Sequence, residues 1–197
     1  MTMKPIGIIK QVQIQRSPLK TGEGAERVYN PVSLLVVDSL RLTPMGAFGL
    51  TAYGEEIMDV HHVNHRQSRN NGNANGLSFN FTAHYTKMRE RFGSHLTDGI
   101  AAENILIEYD QIITQPEIGD RLIIQNVTTN DITVLYEVID APPCAPFACF
   151  AAKQTLEGQL MKEALQFLDV GTRGFYMTLT SEQDAVVQVG DKVFIEG

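Results

Sequence analysis

Cys144 is the side chain in this sequence best mounted to do chemistry. It lies in the run VLYEVIDAPPCAPFACF, residues 134–150, directly after Pro142 and Pro143 and shortly before Pro146. Proline fixes its own φ and pushes the preceding residue out of the helical region. The segment is therefore expected to be a stiff, extended turn at the end of a strand. Rigid presentation of one soft sulfur suits a metal ligand or a sulfur carrier. A small buried hydrophobe in a loop is the plainer alternative.

Other groups supply chemistry less clearly. His61, His62 and His65, with Cys144 and Cys149, are zinc ligands in kind. On a strand, however, His61 and His62 point to opposite faces, and the cysteines lack close C-x-x-C spacing. A Cys-His hydrolase would need Cys144 to meet a distant histidine, and nothing else in the sequence supports one. No GxGxxG, GxxxxGK[ST] or GxSxG string occurs, so phosphate-loop and nucleophile-elbow chemistries find no support.

The elements that position these groups are mostly strands. Residues 6–16 alternate apolar and polar from Ile9 onward, as a half-buried strand does. Residues 32–40 form a β-branched apolar run expected to be a buried strand, and residues 48–53 add a short one. A strand over residues 54–65 would put Ile57, Asp59 and His61 on one face and Met58, Val60 and His62 on the other. Residues 66–76, rich in Asn and Gly, read as an exposed, mobile loop.

Residues 78–92 predict a helix whose stripe of Phe81, Tyr85, Met88 and Phe92 packs into the core, with Gly93 as its stop. His84, Lys87 and Arg91 share another face, either a solvated basic edge or a wall facing an anion. Strands follow at 104–109, 121–127 and 132–139, then a second helix over 153–168 ended by Gly171. Short strands at 173–179, 186–189 and 193–195 close the chain. Many strands, two substantial helices and no βα alternation predict a mainly β fold, a largely antiparallel β-barrel.

Composition narrows the class. At 197 residues, 43% hydrophobic and 20% charged, the chain is expected to form one globular domain, residues 1–197. A net charge of -7 argues against a nucleic-acid coat, though a local basic face remains open. Residues 1–15 show no apolar signal-peptide core, and no stretch reaches the ~18 apolar residues of a membrane helix. The expected location is cytoplasmic, with both cysteines as free thiols, no membrane partner and no nucleic-acid partner.

In four places, taken in order along the whole chain, the sequence resembles the MOSC family, named for the C-terminal domain of molybdenum cofactor sulfurase. Asp59-Val-His61-His62 is similar to the family's Asp-x-His element. Glu103-Asn104-Ile105-Leu106 is similar to its Gly-Glu-Asn-Leu segment, with Ala102 where the glycine usually stands. Pro143-Cys144 falls at its characteristic cysteine, and Gly171-Thr-Arg173-Gly174, followed by Val189-Gly-Asp191, resembles its closing pattern.

The resemblance implies a MOSC-type β-barrel that binds molybdenum cofactor (molybdopterin) or carries sulfur to it. It implies Cys144 as the molybdenum ligand and catalytic residue, in an oxidoreductase acting on N-hydroxylated small molecules. The alternatives are a sulfurtransferase-like persulfide carrier with no stable metal, or a non-catalytic module that binds a partner. Arg173 is the best cation for the pterin phosphate, with Lys87 and Arg91 second. Asp59 and Asn104 would hydrogen-bond the pterin, or else cap turns. His61, His62 and Glu103 lie in the same matched motifs and are expected at the cofactor too. An electron-donor or sulfur-donor protein would complete the system.

Overall fold

The computed structural model describes residues 2–69 and 76–197. Its elements in chain order are β1 (Met3–Gln15), β2 (Lys20–Thr21), β3 (Val28–Tyr29), β4 (Leu34–Val37), β5 (Ser39–Thr43), β6 (Gly46–Leu50), β7 (Glu56–Met58) and β8 (Leu77–Phe81). Then come α1 (Thr82–Phe92), β9 (Ile105–Glu108), α2 (Gln115–Ile118), β10 (Arg121–Gln125) and β11 (Ile132–Asp140). The chain ends with α3 (Ala145–Ala152), α4 (Gly158–Leu168), β12 (Phe175–Thr178), β13 (Ala185–Gln188) and β14 (Lys192–Glu196).

Seven strands close a barrel in the order β14-β10-β11-β12-β8-β9-β1, with β1 pairing back to β14. Closure removes the exposed edges that so many strands would otherwise present. Every pair in the ring is antiparallel except β8 and β9. Parallel neighbours need a crossover, and α1 supplies it. β13, β5, β6 and β7 form a second sheet, and β4 hangs from β1.

Two apolar clusters result. The first fills the barrel, where Phe79 stacks on Phe175 at 5.0 Å between ring centroids. The second lies outside it, where Tyr85 and Met88 of α1 meet Phe147 of α3 and Leu168 of α4.

Five local expectations change. The helix predicted over 78–92 starts only at Thr82; Leu77, Phe79 and Phe81 instead alternate into the barrel as β8. Its apolar stripe therefore divides, with Phe81 in the first cluster and Tyr85 and Met88 in the second. Of the helix predicted over 153–168 only residues 158–168 are helical, as α4; a separate helix, α3, precedes that range at 145–152, and Lys153 and Gly158 between the two take left-handed φ of 53° and 52°. Cys144 caps the earlier one, α3, with Pro146 in its first turn. Proline is compatible with a helix start, so the extended turn stops at the thiol.

The strand predicted over 54–65 ends at Met58, which leaves Asp59, His61 and His62 in a turn. Residues 32–40 divide between a 3-10 turn, β4 and β5. Of the loop predicted over 66–76, residues 66–69 and Gly76 carry no helix or strand, and 70–75 lie outside the described residues. No helix among the described residues is long and apolar enough to cross a membrane.

Candidate functional site

The turn after β7 is held by one buried carboxylate. Asp59 Oδ2 accepts from Gln15 N at 2.7 Å and Asn104 Nδ2 at 3.2 Å, and Oδ1 accepts from His61 N at 2.7 Å. His61 Nδ1 lies 3.0 Å from the same Oδ1. Asn104 is equally committed, since Oδ1 accepts from Ser78 N and Oγ while Nδ2 also reaches Gln13 O. These two residues thus tie β1, β8 and the turn together. His62 is buried edge-on against Phe48, away from the cavity wall.

Beside this brace lies a cavity of about 260 Å³, just under the ~300 Å³ lower end of small-molecule pockets. Gln15 and His61 line one side, Ala101–Glu103 the floor, and Ser78, Phe79 and residues 173–176 another side. Lys20, Arg27, Arg69 and Arg173 also line it, against the single acidic side chain of Glu103. Two buried glutamines of β1 fix the floor: Gln13 donates to the carbonyls of Gly99 and Glu103, and Gln15 to that of Ala102. The sequence pattern reads these glutamines as a solvent face; the floor loop covers them instead.

Glu103 itself is buried. Tyr85 donates its hydroxyl hydrogen to Oε2 at 2.9 Å while its oxygen accepts from Ala101 N at 2.9 Å. Oε1 has no protein partner among the described residues. Burial pushes the carboxyl up to about 7, against the restraint of its own N–H, the Tyr85 hydroxyl and Arg173, with Asp98 adding to the rise.

Ala102 holds φ at 74°, a left-handed conformation that costs an L-residue ~1–2 kcal/mol. Glycine takes it freely, which is the physical content of the resemblance's usual glycine here. Ala101→Gly, at an adjacent buried site outside that conformation, should cost about 1.5–2 kcal/mol in backbone entropy and lost methyl burial. Relief of strain should hold the cost of Ala102→Gly below about 0.5 kcal/mol. Denaturant midpoints of the two variants measure the difference, and equal losses would contradict it.

Arg173 occupies a tight turn before β12. Gly174 has φ 110°, and a Cβ there would stand 2.8 Å from Phe79 O. The guanidinium lies 4.4 Å over the Phe147 ring, and its buried Nε has no protein partner among the described residues. Burial acts to lower its pKa, but Tyr29, Cys144, Tyr176 and Tyr85 more than offset that, so the charge is secure.

Helix α1 braces this turn. His84 Nε2 accepts from Ile113 N at 3.3 Å, which leaves Nδ1–H to donate to Gly171 O at 2.8 Å. Lys87 donates to Thr172 Oγ1 at 3.1 Å. Burial lowers the His84 pKa to about 4, so it is neither a solvated base nor an anion wall. Lys87 and Arg91 lie over Phe167 of α4, and the structure does not bring them to the cavity.

Cys144 is half-buried against the second cluster, in the neighbourhood of Arg173 and Tyr29. It stands beside the cavity rather than on its wall. Cys149 Sγ accepts from Leu156 N, and both thiols are free. Among the described residues no three His, Cys, Asp or Glu side chains converge as a metal site. Lys20, Arg27 and Arg69 were not among the sequence's candidates; no motif marks them, and only the fold gathers them.

The fold is a mainly β closed barrel with a few helices, as expected. No family model matches the chain, and no curated protein matches it significantly. Among solved structures it is similar to the YuaD protein from Bacillus subtilis, at 13% identity and TM-score 0.51, covering 100% of this chain and 98% of that one. A hypothetical protein is similar at 14% identity and TM-score 0.53, covering 98% of this chain and 66% of its own. YiiM from Geobacillus stearothermophilus, at 17% identity over 99% of this chain and 76% of that one, has a TM-score of 0.49, too low to carry weight. At these identities the likeness is one of fold alone.

Proposed function

We propose that the cavity binds a small organic anion, and that the anion is a pterin of the molybdenum-cofactor type. The observation that carries this reading is the set of cations lining the cavity, Lys20, Arg27, Arg69 and Arg173, in a chain of net charge -7. A cluster of like charges is tolerated at a site that receives an opposite one. The residues fit the anionic part of such a group, since the buried Arg173 Nε has no acceptor among the described residues. Arg173 would clamp the anion, Tyr29 and Phe175 would shape the cavity, and the outer cations would attract the ligand.

When bound, the cofactor would supply a metal for two-electron redox chemistry. The chain's own contribution is to bind, orient and exclude water, with the Cys144 sulfur held alongside. That thiolate would ligate the metal or carry a persulfide, and its place beside the wall rather than on it favours keeping the carrier reading.

Purification from a cofactor-producing host tests this. Molybdenum is expected in the wild type, and Cys144→Ser, nearly isosteric, should keep the fold but lose at least about tenfold of the loading. One extra sulfur on Cys144 by mass spectrometry, without metal, would select the carrier. Full loading of the variant would remove Cys144 from the site, and neither metal nor sulfur on the wild type would leave the partner-binding module.

A further inference from the structure

We propose that Glu103 takes part in ligand binding as the neutral acid, donating a hydrogen bond from Oε1 to an acceptor atom of the bound organic anion, so that filling the cavity is coupled to uptake of one proton. This rests on the anion-binding reading and deepens it. The geometry fixes where the proton goes. Tyr85 has a single hydroxyl hydrogen and its oxygen already accepts from Ala101 N, so that hydrogen is committed to Glu103 Oε2. An acid proton on Glu103 therefore sits on Oε1, which is buried and has no protein partner among the described residues. The donor Nε of Arg173 is buried and unpartnered in the same way, on the same cavity. Two donors from residues lining one cavity, each without an acceptor among the described residues, suit a ligand bearing lone pairs, such as a carboxylate, a sulfate-like group or a heterocyclic carbonyl.

The surroundings favour proton uptake when an anion arrives. The charged and titratable groups facing Glu103 are Tyr85 from α1, Tyr29 from β3, Arg173 from the turn before β12, and Asp98. The free carboxyl titrates at about 7, so near neutrality both forms are within reach. A second negative charge beside it disfavours the carboxylate. By linkage, the anion then binds more tightly at lower pH. The proton comes from solvent and returns there on dissociation, and only an O–H bond is made or broken.

Sulfate is the probe, because its charge does not change across the range. From about pH 6 to about pH 8.5, calorimetry on the wild type should show affinity falling about 30-fold if only the acid form binds. Buffers of different ionisation enthalpy should report proton uptake. Glu103→Gln places an amide N–H where the acid carries O–H, so at about pH 8.5 it should bind as the wild type does at about pH 6. His61 also lines the cavity and is present in both proteins, so the difference between them is what counts.

A second readout needs no ligand. Folded Glu103 keeps its proton to about 7, whereas its ordinary value is 4.5. Wild-type stability relative to Glu103→Gln should therefore fall as pH rises through that interval. Tyr85→Phe, which removes a hydrogen bond to the carboxylate, should move the midpoint of both effects upward.

Affinity that is flat or rises with pH, or an equal slope in Glu103→Gln, would overturn the role of Glu103 while leaving the anion site standing. Absence of sulfate binding in every variant would overturn the anion reading and this inference with it.

Discussion

Asp59→Ala is expected to cost about 3–5 kcal/mol of stability, a large part of what a typical domain has. The side chain is 0% exposed and lies within hydrogen-bond distance of nitrogens on Gln15, His61 and Asn104. Truncation leaves the backbone N–H groups of Gln15 and His61 without acceptors, and an orphaned buried donor costs ~1–3 kcal/mol. It also frees Asn104, which links Ser78 of β8 to Gln13 of β1. Asp59→Asn keeps one acceptor oxygen and should lose roughly half as much. Denaturant unfolding at neutral pH gives both values. A loss below about 1 kcal/mol, with weakened anion binding, would instead mean that Asp59 touches the ligand.

Arg173→Lys should act in the opposite sense, on binding far more than on stability. Its guanidinium is planar, lies over the Phe147 ring and presents a buried Nε with no partner among the described residues. Lysine keeps the charge but loses the fork and the ring contact. The lost cation–π contact should cost about 0.5–1 kcal/mol of stability. Charge-assisted hydrogen bonds to a recessed anion contribute about 1.5–3 kcal/mol, or roughly ten- to a hundred-fold in affinity. Sulfate titrations beside thermal melts separate the two quantities. Equal falls in both would make Arg173 a structural residue.

The sequence by itself settles what depends on neighbours in the chain. Short apolar, β-branched runs give the strands near residues 104–109, 121–127 and 132–139, because such side chains favour extended backbone whatever lies beyond. Residues 171–174 read as a turn carrying an arginine, because the glycines flanking it can take positive φ locally. The four ordered motifs carry their resemblance for the same reason, since each is a short local pattern.

Tertiary structure decides everything that depends on distant partners. Residues 77–81 fit both a helix and a strand period, and pairing of β8 with β9 and β12 decides for strand. His84 and Lys87 look like surface bases until the turn at 171–172, far along the chain, packs onto them. Asp59 and Asn104 carry no mark in sequence that tells a ligand contact from a brace; their mutual hydrogen bond spans 45 positions. The cavity's cations come from residues 20, 27, 69 and 173, which share no motif. Charges have no periodicity that forecasts where they converge: the tertiary fold brings these together, and it leaves Lys87 and Arg91 of α1 against Phe167 of α4 instead.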